Sequence, residues 1–309
     1  MDARDVRRER AQNLWVSLER KVPPLAKAAS LDAAPETTFE RIGGLQAAKD
    51  ELLTYACAAT HPEVYARWGT FPPSGLLLLG QRGVGKTTLA AALAHRTDMA
   101  FLRLAVPRLV VEFLHNGPKI GEFLATWPQA LGDMPPLTVF FEELEFTQTE
   151  ELGARRTDLP QGPIMDFLLE LIDRTMAVPH TLVVASTSHP DTLRHAFVMP
   201  GRFERIVEVN PIFPDDIVSA LEIHAADAEK RAGHVLFDGV DWAEVVRQYR
   251  EPAPGDWIRL MHAALRRKAR CEAAGEAVKP ATTEDLLEEV DRARRARKRL
   301  PVDGGGIYL

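Results

Sequence analysis

Apolar runs that alternate with helical patterns organise the first two thirds of the chain. Four runs are typical of buried strands and a fifth is weaker: Leu76–Leu79, Phe101–Leu104, Leu137–Phe141, Leu182–Ala185 and Arg205–Val209. The stretches between them have the three- to four-residue apolar spacing of amphipathic helices. Strands that alternate with helices pair in parallel, because each connection crosses back over the sheet. The pattern therefore predicts an α/β fold with a mostly parallel sheet and helices on both faces.

Beyond Asp215 the pattern changes to helices alone. These helical stretches are residues 215–231, 240–249, 254–274 and 282–298. They are enough for a second, small all-α domain. At the other end, residues 4–20 predict a short amphipathic helix, and residues 22–38, rich in Ala and Pro, predict a linker. The predicted division is an N-terminal helix and linker, an α/β domain, a helical domain and a flexible tail, over residues 1–37, 38–212, 213–300 and 301–309.

Composition narrows the classes of protein that fit. The net charge is −6 over 309 residues, which argues against a protein that coats nucleic acid. The chain contains no apolar run of the roughly 20 residues that a membrane span requires, and its N-terminus does not resemble a signal peptide. Cys57 and Cys271 lie far apart in the sequence. These features predict a reduced, cytoplasmic protein with no membrane partner.

Residues 80–88, Gly-Gln-Arg-Gly-Val-Gly-Lys-Thr-Thr, carry the strongest chemical signal. They fit the phosphate-loop pattern, in which two glycines with four residues between them precede Lys and then Ser or Thr, between a strand and a helix. The glycines let backbone N–H groups turn toward phosphate oxygens at the positive end of the helix dipole. A lysine then reaches the β- and γ-phosphates, and a threonine ligates Mg²⁺. The residues predicted to bind ATP in this loop are Gly80, Gly83, Val84, Gly85, Lys86, Thr87 and Thr88.

Two carboxylates end the third predicted strand. Glu142 and Glu143 follow the apolar run Leu137–Phe141. At the carboxyl edge of a parallel sheet, beside a phosphate loop, the first can hold Mg²⁺ together with Thr87. The second can polarise the water that attacks the γ-phosphate. We therefore predict Glu142 as a metal ligand and Glu143 as the catalytic base.

Five motifs occur in one order along residues 38–300. They are Phe39–Leu45, the phosphate loop, Phe140–Glu143, Ser186–Asp191 and Pro200–Arg205. As a set they resemble the AAA clade of the AAA+ ATPases, which includes FtsH, katanin and the proteasomal ATPases. The resemblance implies an ATP hydrolase that has the three-layer parallel sheet of a P-loop NTPase and a small all-α lid.

The resemblance also implies roles for single residues. Ile42 and Gly43 match the segment that lines the adenine pocket. His224 matches a lid histidine near the nucleotide, and the alternative is an ordinary core or surface residue of an amphipathic helix. Gly255 is a further nucleotide-binding candidate. Ser188 stands at the position that senses the γ-phosphate. Arg202 and Arg205 match arginines that act on the nucleotide of a neighbouring subunit, where an arginine stabilises transition-state charge. An active site shared in this way implies a homo-oligomeric ring, usually a hexamer.

Three departures from the family pattern affect the expected rate. The metal-holding residue is usually Asp and is here Glu142; the sensor is usually Asn and is here Ser188. Met199 replaces the first of two arginine fingers. We expect a competent but slow ATPase, and the alternative is an ATP-binding scaffold that hydrolyses poorly.

Phe113 is the candidate contact to a protein substrate. The segment Leu109–Gly117 resembles the first pore loop of the family, in which an aromatic residue grips a polypeptide. The alternative places Phe113 in the core together with Val110, which lies on the same helix face. The pore interpretation predicts a remodeller that unfolds a protein through a central pore.

The partner is open to several hypotheses. The sequence predicts an ATPase module without a large N-terminal domain and without the anchor of a membrane protease. Bacterial modules of this size include remodellers of HORMA-domain proteins in antiphage signalling, which are one candidate partner. Residues Ile307-Tyr308-Leu309, after a glycine run, resemble the tails that dock proteasomal ATPases onto the proteasome. Basic runs at Arg266–Arg270 and Arg292–Arg299 suggest nucleic acid as another possible partner. The better explanation is structural, because basic residues near the C-terminus of a helix interact favourably with its dipole.

Overall fold

The structure, a computed structural model, describes residues 3–71, 74–115, 119–145, 161–193, 195–249 and 253–297. This part of the chain forms two compact units. The first unit takes in residues up to 39, 47–81 and 86–209, and the second takes in residues 40–46, 82–85 and those from 210 onward. Among the described residues, no helix combines the length and the apolar character that crossing a bilayer requires.

A six-stranded sheet forms the centre of the first unit. Its strands are β1 Ala29–Asp32, β2 Leu76–Leu79, β3 Ala100–Ala105, β4 Leu137–Glu142, β5 Thr181–Thr187 and β6 Arg205–Glu208. Their order across the sheet is β1-β3-β4-β5-β2-β6. All neighbours are parallel except β1, which runs antiparallel to β3. The predicted α/β fold with a mostly parallel sheet is confirmed.

Burial follows the position of each strand in the sheet. In β4 and β5, nearly every side chain is buried, as expected for parallel strands covered on both faces. In the edge strand β6, only Val207 is buried, which explains its weak apolar signal. Because β5 lies between β4 and β2, the carboxyl ends of these three strands are adjacent, and the residues after them share one edge.

Twelve α-helices are assigned within the described residues. Those of the first unit are α1 Ala3–Lys21, α2 Pro23–Ala28, α3 Gln46–Thr60, α4 Pro62–Arg67, α5 Lys86–Arg96, α6 Val106–His115, α7 Ile120–Gly132 and α8 Gln161–Met176. Gln46, the first residue of α3, belongs to the second unit. Those of the second unit are α9 Asp215–Ala232, α10 Trp242–Arg247, α11 Pro254–Ala273 and α12 Thr283–Arg297. The helical character of the C-terminal part is as predicted from the sequence.

The prediction of a linker over residues 22–38 is wrong for its first half. Pro23 and Pro24 occupy the first turn of α2, where a proline needs no hydrogen-bond donor and its fixed φ suits the helix. Leu25 and Ala28 are buried in the core of the first unit. The strand β1 follows directly and pairs with β3. The prolines therefore start a helix here instead of breaking the structure.

The second unit has its own apolar core. Residues from α9, α10, α11 and α12 form one buried cluster, which includes Ile217, Val246, Trp257 and Val290. Gly233 ends α9 with φ of 75°, the left-handed conformation typical of a helix C-terminus. The four helices are therefore held by packing within the unit.

Candidate nucleotide-binding site

The loop between β2 and α5 has the backbone that its glycines permit. Gly83 has φ of 79° and Gly85 has φ of 103°, conformations that are costly for residues with a side chain. The Gly80 N–H donates to the Thr187 carbonyl at 3.3 Å, which joins the start of the loop to the end of β5. Lys86 opens α5 directly after the loop, so the positive end of the helix dipole lies beside the loop, where it favours an anion.

Lys86 and Ser188 meet at the carboxyl edge of the sheet. Lys86 is 8% exposed, and its Nζ donates to the Ser188 Oγ at 3.0 Å. The same ammonium donates to the carbonyls of Gly80 and Gln81, at 2.5 and 2.8 Å. The structure thus brings together the lysine and the sensor residue predicted from separate motifs. A phosphate that enters here can take over the hydrogen bonds now made to carbonyl oxygens.

Thr87 and Glu142 also meet, although 55 residues separate them. The Thr87 hydroxyl donates to Glu142 Oε1 at 2.6 Å. The other carboxylate oxygen, Oε2, accepts two hydrogen bonds from Arg103 on β3. The sequence alone does not indicate a role for Arg103, because its contact with Glu142 depends on the register between β3 and β4.

Glu143 has a strained backbone. Its φ is 60°, and the left-handed region is costly for a residue with a side chain. Its N–H donates to the Ser186 Oγ at 3.2 Å, and the next N–H, of Leu144, donates to the Ser186 carbonyl at 3.0 Å. These two hydrogen bonds to Ser186 of β5 fix the sharp turn that follows β4. Strain of this kind concentrates at functional sites.

Glu145 is a second residue of the site that the sequence motifs do not include. It is 5% exposed, and its Oε1 accepts a hydrogen bond from the Ser188 N–H at 2.8 Å. Its Oε2 is buried and has no hydrogen-bond partner in the structure as described. The only hint of its role in the sequence is that it is the third acidic residue within Glu-Glu-Leu-Glu, residues 142–145. Glu145 therefore holds the backbone of Ser188, the predicted sensor residue.

Both candidate finger arginines are paired within their own chain. Arg202 donates to both carboxylate oxygens of Asp173, at 2.6 and 2.8 Å, and to the Ala196 carbonyl at 2.6 Å. Arg205 forms an exposed ion pair with Glu51. Hydrogen bonding to these carboxylates raises the pKa of each guanidinium. Met199, at the position of the missing finger, is 47% exposed.

In the second unit, the segment with Ile42 and Gly43 packs tightly on α9. Ile42 is 7% exposed. A Cβ on Gly43 would lie 2.2 Å from the Ala220 nitrogen, so only glycine fits. Asp216, at the start of α9, accepts the Leu45 N–H at 3.0 Å. This predicted adenine-binding segment therefore has a fixed position on the helix.

Gly255, Val84 and His224 also lie in the second unit. The Gly255 N–H donates to the Gly83 carbonyl at 3.1 Å, so the start of α11 touches the phosphate loop. Val84 is buried at 3% exposure. Burial lowers the pKa of His224 below its usual value, although Asp227 opposes this effect. Thr88 is exposed on α5.

The prediction of Phe113 as a pore residue is wrong in this structure. Phe113 is 1% exposed on α6. Its ring centroid lies 4.6 Å from that of Phe123 and 5.3 Å from that of Phe167. These contacts are those of a core residue, because an aromatic that grips a polypeptide must be accessible. Residues 116 and 117 of the same motif, and the tail 307–309, lie outside the described residues.

The donors present fit magnesium bound to a triphosphate. No cluster of three or more His, Cys, Asp or Glu residues in the described part of the chain could hold a metal alone. Mg²⁺ in nucleotide sites is bound by one or two carboxylates, phosphate oxygens and water. One carboxylate, Glu142, and one hydroxyl, Thr87, supply the protein's share beside Lys86 and the glycine loop. The arrangement can bind a nucleoside triphosphate and polarise a water through Glu143.

Comparison with known proteins agrees with this site. Residues 76–211 match the model of the ATPase family associated with various cellular activities (AAA). CdcH of Halobacterium salinarum is 28% identical over 88% of this chain and 37% of its own length. The proteasome-activating nucleotidase of Methanococcus maripaludis is 30% identical over 72% of this chain and 53% of its own. A 26S proteasome regulatory subunit 4 homolog of Dictyostelium discoideum is 32% identical over 62% and 43%. The chain spans about half or less of the length of these relatives.

Proposed function

Because the chain belongs to the AAA family of ATPases, we propose that it hydrolyses ATP and uses this hydrolysis to unfold or remodel a protein. The observation that carries the proposal is the assembly of Lys86, Thr87, Glu142 and Ser188 at one edge of the sheet. The names of the relatives add support, since two of them are described as a proteasome-activating nucleotidase and a proteasome regulatory subunit. The proposal is therefore a motor with a protein substrate.

Each residue of the site has a distinct task in this proposal. The glycine loop and Lys86 bind the phosphates, and Thr87 and Glu142 hold magnesium. Magnesium, when bound, neutralises charge on the phosphates and orients them. Glu143 orients a water and accepts its proton. Ser188 contacts the γ-phosphate region through its hydroxyl, and Glu145 keeps its backbone in place.

We propose that the chain works as a homo-oligomeric ring, with six subunits as the expected number. Arg202 supplies the guanidinium for the neighbour's nucleotide, and this requires that it leave Asp173. A heterologous interface that closes on itself provides such a shared site. The two cysteines are free, which fits action in the reducing cytoplasm.

A direct test is ATP-dependent loss of fluorescence from green fluorescent protein that carries an unstructured tail. We expect loss with the wild-type chain and none with Glu143→Gln, which keeps the binding residues but removes the base. The unfolding proposal is wrong if the wild-type chain hydrolyses ATP steadily and neither this substrate nor other tagged proteins are unfolded.

The scaffold alternative rests on Glu142, Ser188 and Met199, which depart from the family pattern. A steady-state phosphate-release assay distinguishes it. A competent ATPase releases phosphate faster than its Glu143→Gln variant, whereas equal, near-zero rates of both favour a scaffold.

A second candidate is docking onto a proteasome core through Ile307-Tyr308-Leu309, which the proteasome-related names of the relatives favour. Binding to a purified core by the full chain, and its loss in a chain without these three residues, would support docking. Equal binding by both chains would contradict it. No observation favours a HORMA-domain partner, and we do not propose one.

A further inference from the structure

Arg103 makes a two-point contact with the carboxylate of Glu142. Its Nε donates to Oε2 at 2.8 Å, and its Nη2 donates to the same oxygen. The other oxygen, Oε1, accepts from the Thr87 hydroxyl at 2.6 Å. The two oxygens therefore have different partners, one a cation and one a neutral hydroxyl.

The register of the sheet makes this contact possible. Ala105 of β3 lies opposite Glu142 of β4. Arg103 is two residues before Ala105 and therefore points to the same face of the sheet. Leu102 and Leu104 point to the other face and are fully buried. A long side chain at position 103 can thus reach the end of β4, where a short one could not.

The pair differs from an ordinary surface ion pair, which contributes little to stability. The Glu142 side chain is only 15% exposed, although that of Arg103 is 46% exposed. Glu142 also has one more rotatable bond than the aspartate usual at this position, and more torsions must be fixed before it can bind a metal. Two N–H groups that converge on Oε2 restrict those torsions.

We propose that Arg103 is a positioning residue for magnesium. It anchors Oε2 of Glu142, so that Oε1 remains turned toward Thr87, where the metal of the bound nucleotide is held. The inference rests on the proposed roles of Thr87 and Glu142 at the ATP site. The positive charge of Arg103 also repels the metal ion, and this repulsion opposes the gain from positioning Glu142. Positioning and repulsion predict opposite outcomes when Arg103 is replaced.

The test measures binding and not hydrolysis. The affinity of the full-length chain for a fluorescent ADP analogue is determined with excess Mg²⁺ and with EDTA, and the ratio gives the magnesium enhancement. We expect Arg103→Lys and Arg103→Gln to lower this ratio about tenfold, the lower end of the range for residues that support metal ligands. The affinity in EDTA should stay the same. Lysine keeps the charge but loses the two-point contact, so its effect isolates positioning.

Arg108→Lys, at an exposed position on α6, is the matched control and should keep the wild-type ratio. Thermal unfolding checks that each variant is folded. The inference is overturned if both Arg103 variants keep the ratio, if Arg103→Gln raises it, or if affinity falls equally in EDTA. It is also overturned if magnesium does not affect the wild-type affinity. Failure to unfold a protein substrate would contradict the proposed function and leave these ratios unchanged.

Discussion

Arg202 is held by Asp173 of its own chain, with Nε 2.6 Å from one carboxylate oxygen and Nη2 2.8 Å from the other. The hydrogen bond to Asp173 raises the pKa of Arg202, although burial opposes it. To act on a neighbour, Arg202 must exchange these contacts for a phosphate. The cost of this exchange is a physical reason to expect slow turnover.

The first prediction concerns sharing of the site between subunits. Arg202→Ala should lower the ATPase rate about 10³-fold, the low end for an arginine finger, and Glu143→Gln should also be inactive. Mixed rings should recover activity, because an Arg202→Ala pocket can receive Arg202 from a Glu143→Gln neighbour. With random equal mixing, half of the pockets are intact and half of those meet an intact neighbour, so about a quarter of the wild-type rate is expected.

Phosphate release measured after mixing checks this expectation, and Arg174→Ala, on α8 beside Asp173, is the control. No recovery in rings shown to contain both variants would contradict a shared site. A wild-type rate for Arg202→Ala would contradict any role of Arg202.

The second prediction concerns the backbone of Glu143. Because its φ is 60°, Glu143→Gly should be more stable than Glu143→Ala by about 1 kcal/mol, the cost of a Cβ in the left-handed region. Both variants lose the base and should be inactive. The free energy of unfolding from urea denaturation provides the measurement.

Glu170, in the middle of α8, is the control position for this comparison. There the order should reverse, with Gly less stable than Ala by about 1 kcal/mol, because glycine is a poor helix former. Equal stability of the two Glu143 variants would show that the turn carries no strain.

The motifs that can be predicted from the sequence are those whose structure depends mainly on residues that are close together in the chain. The phosphate loop and the Glu142-Glu143 pair need only a strand, a turn and a helix around them. The partners of Arg103 and Glu145 could not be predicted, because they are set by strand register and by burial. The pore prediction for Phe113 is wrong for a related reason, since a motif does not reveal which face of α6 meets the core.

The N-terminal region also has a structure that depends on contacts with distant parts of the chain. Residues 22–38 have the composition of a linker, yet Leu25 is fully buried and β1 completes the sheet beside β3. Composition records local preference, and tertiary contacts override it. The order of the strands across the sheet likewise follows from pairing between distant segments.

The third prediction concerns Gly43. A methyl group there would lie 2.2 Å from the Ala220 nitrogen, so Gly43→Ala must displace the segment from α9. We expect a loss of about 1–3 kcal/mol in stability, as for overpacking, and weaker ATP binding. Gly121→Ala is the control, because nothing lies within 4 Å of a Cβ added there, and it should not lose stability or affinity. Calorimetry of both variants measures stability and affinity, and an unchanged Gly43→Ala would exclude the tight packing.

The last prediction concerns acid stability of the second unit. Burial lowers the pKa of His224 below 6.5; Asp227 raises it, and His262, Arg231 and Arg41 lower it further. The unfolded chain therefore binds a proton at His224 before the folded chain does, so stability should fall as the pH drops below about 6.5. In His224→Gln this loss should become smaller but not vanish, since His262, whose pKa is also lowered, still contributes.

Urea denaturation between pH 7.5 and 5, followed by circular dichroism, measures the slope of stability against pH. His234→Gln, at an exposed position of the same unit, should keep the wild-type slope. If His224→Gln also keeps it, the histidine is not buried as a neutral group in the folded chain. A slope that disappears completely would instead assign the whole effect to His224 and none to His262.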